Sequence, residues 1–316
     1  MTIARPLLYV TRTLPGVSMD RLKELFDVRG GAPRPPPRDR LLREIQTAEV
    51  LVVTYLDPVD DALLAAAPRL RHLASYGVGV NHIDVDACRA RKVLVTNTPG
   101  VLTDATADMA MALLLAAARR VAEADRVVRG GGWTEADPAW MLGTEVTGKT
   151  LGLVGFGRIG QAVARRAAGF EMRILYSDQL EVAFPGARRV TLDELFASSD
   201  FVSLHTPLTP ETENLLSRER IATMKRGVVV VNTSRGQVVD DAALAEALAS
   251  GQVGAAGLDV FRDEPRVPDL YVKLPNVVLT PHIGSGSRET RAAMARLVLE
   301  DVERVARGEA PRHPVE

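Results

Sequence analysis

The sequence predicts an α/β protein built from two doubly wound parallel-sheet domains, and three observations carry that prediction. Short apolar runs alternate with helical patterns along nearly the whole chain, in two successive series. A glycine-rich turn, Gly155-Phe156-Gly157-Arg158-Ile159-Gly160, opens the second series directly after an apolar strand. With 316 residues, 46% of them hydrophobic and 25% charged, the chain can bury the cores of two domains.

The first series places strands at Leu7–Val10, Val50–Thr54, His72–Ser75 and Val93–Thr96. Helical patterns fall between them, around Met19–Phe26, Arg38–Ala48, Asp60–Ala67 and Asp84–Arg91. The proline-rich stretch Pro33 to Pro37 is too short for a linker and reads as a surface loop. A long helical segment, Thr103 to Arg129, follows. Its stretch Met109 to Ala118 is apolar on every face, which predicts a helix buried all round, at a domain junction or a subunit interface. The second series reads as strands Leu151–Val154, Arg173–Tyr176, Phe201–Leu204, Val228–Val231, Ala255–Leu258 and Val277–Thr280. A patterned helix, Arg288 to Arg307, closes the chain with Met294, Leu297, Val298, Val302 and Val305 at helical spacing.

Several function classes are disfavoured. The net charge is −1, so neither a broad basic face for nucleic acid nor a polybasic membrane anchor is expected. The longest apolar run is far too short to span a bilayer, and Leu7 to Val10 is no signal-peptide core. Cys88 is the single cysteine, which rules out an intrachain disulfide and fits a reducing, cytoplasmic setting. His72, His82, His205 and His313 show no metal-ligand spacing, so no metal site is expected. Gly284-Ser285-Gly286-Ser287 is not a nucleophile elbow, so no hydrolase triad is expected either.

The glycine turn has the arrangement that a dinucleotide needs. Gly155 permits the tight turn, Gly157 lets a pyrophosphate approach the backbone, and Gly160 brings helix and strand together. The helix start at Arg158 and Ile159 offers unpaired N–H groups to the anion. Asp178, eighteen residues beyond the last glycine and just after a strand, suits the ribose hydroxyls. A carboxylate there repels a 2′-phosphate and Gln179-Leu180 supply no arginine, so NAD is favoured over NADP. Three further segments put ionisable residues just past strands, where open parallel sheets bind ligands. They are Asn232 to Gly236, Asp259 to Pro265 and Thr280 to Ser285, and they carry Arg235, Glu264 and His282.

With Tyr76-Gly77-Val78-Gly79-Val80 added, these ordered motifs resemble the D-2-hydroxyacid dehydrogenase family over almost the whole chain. The resemblance implies a Rossmann NAD domain, residues 100–285, inserted into a flavodoxin-like substrate-binding domain made of residues 1–99 and 286–316, with the active site in the cleft. It implies His282 as the acid that protonates a keto oxygen, Glu264 pairing with it, and Arg235 holding the substrate carboxylate and polarising the carbonyl. The backbone N–H groups of Val78 and Gly79 would cradle that carboxylate. Asp259 matches the position that meets the nicotinamide carboxamide. Thr233, Ser234, Ile283 and Gly284 would line the same site, and Thr206-Pro207 matches a segment near the adenine.

Within the family, Asn97 to Thr103 and Gly131-Gly132-Trp133 look most like glyoxylate/hydroxypyruvate reductases. The expected activity is reduction of a small 2-oxo acid to the D-2-hydroxy acid by a homodimer. Trp140 resembles a tryptophan lent to the neighbouring subunit's site, although simple interface packing explains it equally, and the first tryptophan of that motif is replaced in Thr134-Glu135-Ala136-Asp137. Formate dehydrogenases of the family carry glutamine where Glu264 stands, which disfavours formate. Rival readings are an NAD-regulated binding protein of the co-repressor type, and a family dehydrogenase acting on a D-lactate-like acid, phosphoglycerate or phosphite.

Overall fold

The computed structural model describes residues 5–315; positions 1–4 and 316, at the two ends of the expected substrate-binding domain, lie outside them. The chain divides into two compact units. One holds the chain up to Leu102 and again from Gly286, and the other is Thr103–Ser285.

The described residues of the first unit form a parallel sheet of β1 (Leu7–Val10), β2 (Asp27–Gly30), β3 (Ala48–Thr54), β4 (His72–Tyr76) and β5 (Leu94–Thr96). Its order is β2-β1-β3-β4-β5, the flavodoxin-like order. Strand alternation splits the core in two. Leu7, Tyr9, Leu51 and Val53 face one apolar layer, while Leu8, Val10, Val50 and Val52 face the other. The C-terminal helix Arg288–Ala306 covers the second layer through Met294, Val298 and Val302. The tail beyond it pairs with the sheet edge, where Pro314 bridges Thr96 and the Val315 N–H donates to the Val95 carbonyl at 2.9 Å. Burial pushes the Cys88 thiol up to about 11, which keeps it unreactive.

His72 is wholly buried in β4, with Nε2 2.9 Å from Thr96 Oγ1, and desolvation pushes its pKa down to about 4. The unfolded chain takes up that proton near 6.5, so it binds more protons than the native state between the two values, and stability falls as pH drops through that window. Near pH 5 the cost is about 2 kcal/mol. Urea titrations at neutral pH and near pH 5 should show it, and His72→Leu should flatten the decline by up to one proton.

The second unit has a sheet ordered β12-β11-β10-β9-β6-β7-β8 among the described residues, parallel throughout. Its strands are β6 (Thr150–Val154), β7 (Arg173–Ser177), β8 (Ala187–Arg189), β9 (Phe201–Leu204), β10 (Val228–Asn232), β11 (Val253–Leu258) and β12 (Val277–Leu279). The strand order reverses between β6 and β9, the crevice where such sheets bind dinucleotides. The helix Thr103–Ala118 lies on β11 so closely that a Cβ at Gly257 would sit 2.7 Å from the Leu113 Cβ.

Three expectations are corrected. Two edge strands, β2 and β8, went unread because polar residues dominate both and a neighbour pairs only one side of each. The long helix is two helices, Thr103–Ala118 and Val121–Arg129. It breaks at Arg120, whose φ of 55° is left-handed and whose guanidinium turns back onto Glu123. Within this chain the first of these helices leaves Ala112 exposed and Met109, Leu115 and Ala116 half-buried.

Candidate active site

The site residues of the second unit come from the carboxyl ends of β6, β7, β9, β10, β11 and β12, and the dinucleotide turn is the first layer. Gly155 has φ +88°, and a Cβ there would lie 2.6 Å from the His205 carbonyl oxygen. A Cβ at Gly160 would lie 2.4 Å from the Gly155 carbonyl oxygen, so helix and strand meet there as glycine requires. Gly157, by contrast, faces open space, and it caps the helix Arg158–Ala167. An anion can therefore approach that helix start without meeting a side chain. Asp178 folds back on this turn: its Oδ2 accepts from the Phe156 N–H at 2.6 Å and its Oδ1 from the Leu180 N–H at 3.0 Å. Thr206 and Pro207 follow β9 beside Gly155, held by the His205 N–H donating to the Val154 carbonyl and by Thr212 donating to Pro207 O. His205 itself is neutral, its pKa pushed down to about 4 by burial, with Nε2 2.9 Å from Ser203 Oγ.

At the end of β10, buried Asn232 organises the turn that presents Arg235. Its Oδ1 accepts from the Ser234 N–H and hydroxyl at 3.0 and 2.8 Å, and its Nδ2 donates to the Arg235 carbonyl at 2.8 Å. The Arg235 guanidinium donates from Nη1 to the Ser234 carbonyl at 2.6 Å. Burial lowers the Arg235 pKa, partly offset by the charge of Glu264, yet a guanidinium stays protonated. Sequence reasoning named Asn232 as the start of its segment and gave it no role. The signal was an asparagine ending a run of four valines two residues before a serine, a side-chain-to-backbone turn pattern.

The ends of β11 and β12 bring the acid and its partner together. Glu264 Oε1 accepts from the Phe261 N–H at 2.9 Å, while His282 Nδ1 lies 2.6 Å from Glu264 Oε2. Both side chains are largely buried, and the Glu264–Pro265 peptide is cis. His282 sits at φ 53° with its N–H on the Asp259 carbonyl at 2.8 Å. Asp259 fixes the rest of that loop. Its carboxylate accepts from Thr280 Oγ1 at 2.6 Å, the Ile283 N–H at 2.9 Å and the Gly284 N–H at 2.7 Å. Burial raises the Asp259 pKa, and those three donors pull against it. Three of about four acceptor directions are spent on the loop, which leaves one for a ligand amide.

This geometry fits a dinucleotide. Besides the open Gly157, the buried Thr233 hydroxyl has no hydrogen-bond partner, a polar group waiting for a ligand at the same strand ends. Val78 and Gly79 belong to the other unit, in the loop after β4. There the Thr98 N–H donates to the Gly77 carbonyl at 3.0 Å and Asn97 Nδ2 to the Val78 carbonyl at 2.8 Å. Among the described residues, no group of three or more His, Cys, Asp or Glu side chains could hold a metal ion, and no helix is long and apolar enough to cross a membrane.

Residues 111–284 match the family described as D-isomer specific 2-hydroxyacid dehydrogenase, NAD binding domain. The chain belongs to that family. This 2-hydroxyacid dehydrogenase is an NAD(P)-dependent oxidoreductase that interconverts 2-oxo acids and D-2-hydroxy acids. It is 49% identical to a glyoxylate reductase from Korarchaeum cryptofilum, over 97% of this chain and 95% of that one. A solved protein from Thermus thermophilus superposes with a TM-score of 0.93 at 47% identity, covering 98% of this dehydrogenase and all of that chain. An NADPH-dependent glyoxylate/hydroxypyruvate reductase from Sinorhizobium meliloti, solved with NADP and malonate, has a TM-score of 0.87 at 33% identity, covering 99% and 97%.

Proposed function

We propose that the enzyme reduces glyoxylate or hydroxypyruvate with NADH, with His282 as proton donor, Glu264 as its partner and Arg235 as the substrate anchor. The observation that carries this reading is His282 Nδ1 at 2.6 Å from Glu264 Oε2, with the half-buried Arg235 within reach of the same carboxylate's charge. Glu264 sets the imidazole's orientation by holding Nδ1, so proton delivery to the keto oxygen falls to Nε2. Arg235 takes the substrate carboxylate with its planar fork and draws charge toward the carbonyl oxygen, and its partial burial strengthens both effects. Bound NADH supplies the hydride to the carbonyl carbon. The Val78 and Gly79 N–H groups are assigned to the substrate carboxylate, supported by the Asn97 and Thr98 bonds that fix their loop's carbonyls. The glycine turn is assigned to the pyrophosphate, Asp178 to the ribose, Thr206 and Pro207 to the adenine end, and Thr233, Ser234, Asp259, Ile283 and Gly284 to the nicotinamide end. The Asp178 carboxylate is the reason for NADH over NADPH.

Consumption of NADH across a panel of 2-oxo acids tests the proposal, and glyoxylate and hydroxypyruvate should turn over fastest. No turnover with intact NADH binding would overturn it and favour an NAD-regulated binding protein. Phosphite-dependent NADH formation would move it to another donor.

The working form assigned to it is a cytoplasmic homodimer. Supporting the dimer, Trp133 is 62% and Leu142 67% exposed, with Val121, Val128 and Trp140 also exposed in the same stretch of chain. Light scattering should give twice the chain mass, and Leu142→Glu should shift it to the monomer. An unchanged dimer would place the interface elsewhere and leave Trp140 without a neighbour's site to enter.

A further inference from the structure

The ribose end holds a cation that sequence spacing hides. Gln179 and Leu180 follow Asp178, with no arginine beside it. Parallel pairing of β7 with β8 nevertheless sets Arg189 opposite Tyr176, at the same carboxyl edge of the sheet as Asp178. Arg189 Nη2 donates to the Asp178 carbonyl at 2.8 Å and to the Gln179 carbonyl at 2.9 Å. The guanidinium thus grips the backbone of the residue whose carboxylate is turned toward the glycine turn. Its remaining donors are Nε and Nη1, and the nearest acid to them is Glu181, whose Oε2 is 3.9 Å from Nη1. Arg188, its neighbour in the strand, pairs instead with Glu194.

We propose that Arg189 is a specificity-determining residue, the cationic half of the ribose site, able to bind a 2′-phosphate through Nε and Nη1. Asp178 and Arg189 then act in opposition. The carboxylate disfavours the phosphate, the guanidinium favours it, and Asp178 prevails in the natural enzyme because it lies nearer the turn. Two donors already anchored to main-chain carbonyls pre-organise the fork, so little side-chain freedom is lost when phosphate binds. The inference rests on the assignment of Asp178 to the ribose.

The test is a double-mutant cycle on the purified enzyme, with kcat/KM for NADPH and NADH and with affinity for 2′,5′-ADP against 5′-AMP. Asp178→Ser keeps a hydroxyl acceptor for the Phe156 N–H, and Asp178→Asn is a second variant that keeps the shape and removes the charge. Either should raise the NADPH-to-NADH ratio of kcat/KM by about tenfold or more, and tighten 2′,5′-ADP alone. Adding Arg189→Ala should remove that gain. A gain that persists without Arg189 overturns the inference, and so does a variant that still binds 5′-AMP yet gains nothing for the phosphate. If the natural enzyme fails to bind 5′-AMP or NADH at all, the ribose assignment itself is at fault.

Discussion

His282→Ala should lower kcat for glyoxylate reduction by about 10³-fold, within the range that a positioned general acid supplies, while NADH binding stays near normal. The reason lies in where the imidazole sits. Its Nδ1 is held by Glu264 at 2.6 Å, its backbone N–H by the Asp259 carbonyl, and its own φ is left-handed. Alanine removes the donor without touching the glycine turn, which belongs to β6 and its following helix. Stopped-flow NADH oxidation gives the chemical step, and fluorescence titration of NADH gives binding. Activity within tenfold of the natural enzyme would reject His282 as the acid. Glu264→Gln should lie between the two, because the amide oxygen can still orient the ring but makes a weaker, uncharged hydrogen bond to Nδ1.

The second large effect is at Arg235. Arg235→Lys should reduce kcat/KM by about 10²-fold or more, although the charge is conserved. An ammonium offers a point charge, whereas the guanidinium can hold a carboxylate with two parallel donors and keep a third on the Ser234 carbonyl. The shorter, rounder head would have to abandon one of those jobs. Saturation kinetics with glyoxylate at fixed NADH decide the matter. A rise in KM with kcat intact would mean that Arg235 only binds, and a fall in both kcat and kcat/KM that it also acts on the developing charge.

Much of this is legible in the sequence. Central parallel strands are buried on both faces, so they read as continuous apolar runs, and β6, β9 and β10 announce themselves. The glycine turn is legible because two of its glycines are dictated by sterics at the backbone. Residues that lie just past apolar strands fall at one edge of a parallel sheet, which is why Arg235, Glu264 and His282 could be nominated together. What escaped is what depends on partners distant in sequence. Strand β8 is three residues long with two arginines, and only its pairing with β7 makes it a strand. Arg189 was invisible for the same reason. The grip of Asp259 on the Thr280–Gly284 loop depends on the pairing of β11 with β12, and nothing in either segment alone displays it. The break at Arg120 needed a backbone angle that arginine rarely adopts.

The path of the chain through its two units also orders events at the ribosome. Thr103–Ser285 is one continuous segment and can complete its own sheet as it emerges. The other unit is interrupted, and the helix that covers Leu8, Val10, Val50 and Val52 is made only after that segment. At about 5–20 residues per second, the roughly 180 intervening residues hold that face of the five-stranded sheet open for tens of seconds. A half-covered sheet of this kind is a natural client for a chaperone during synthesis. The arrival of Met294, Val298 and Val302 closes that face, so a helix made late in synthesis completes a layer whose strands were made first.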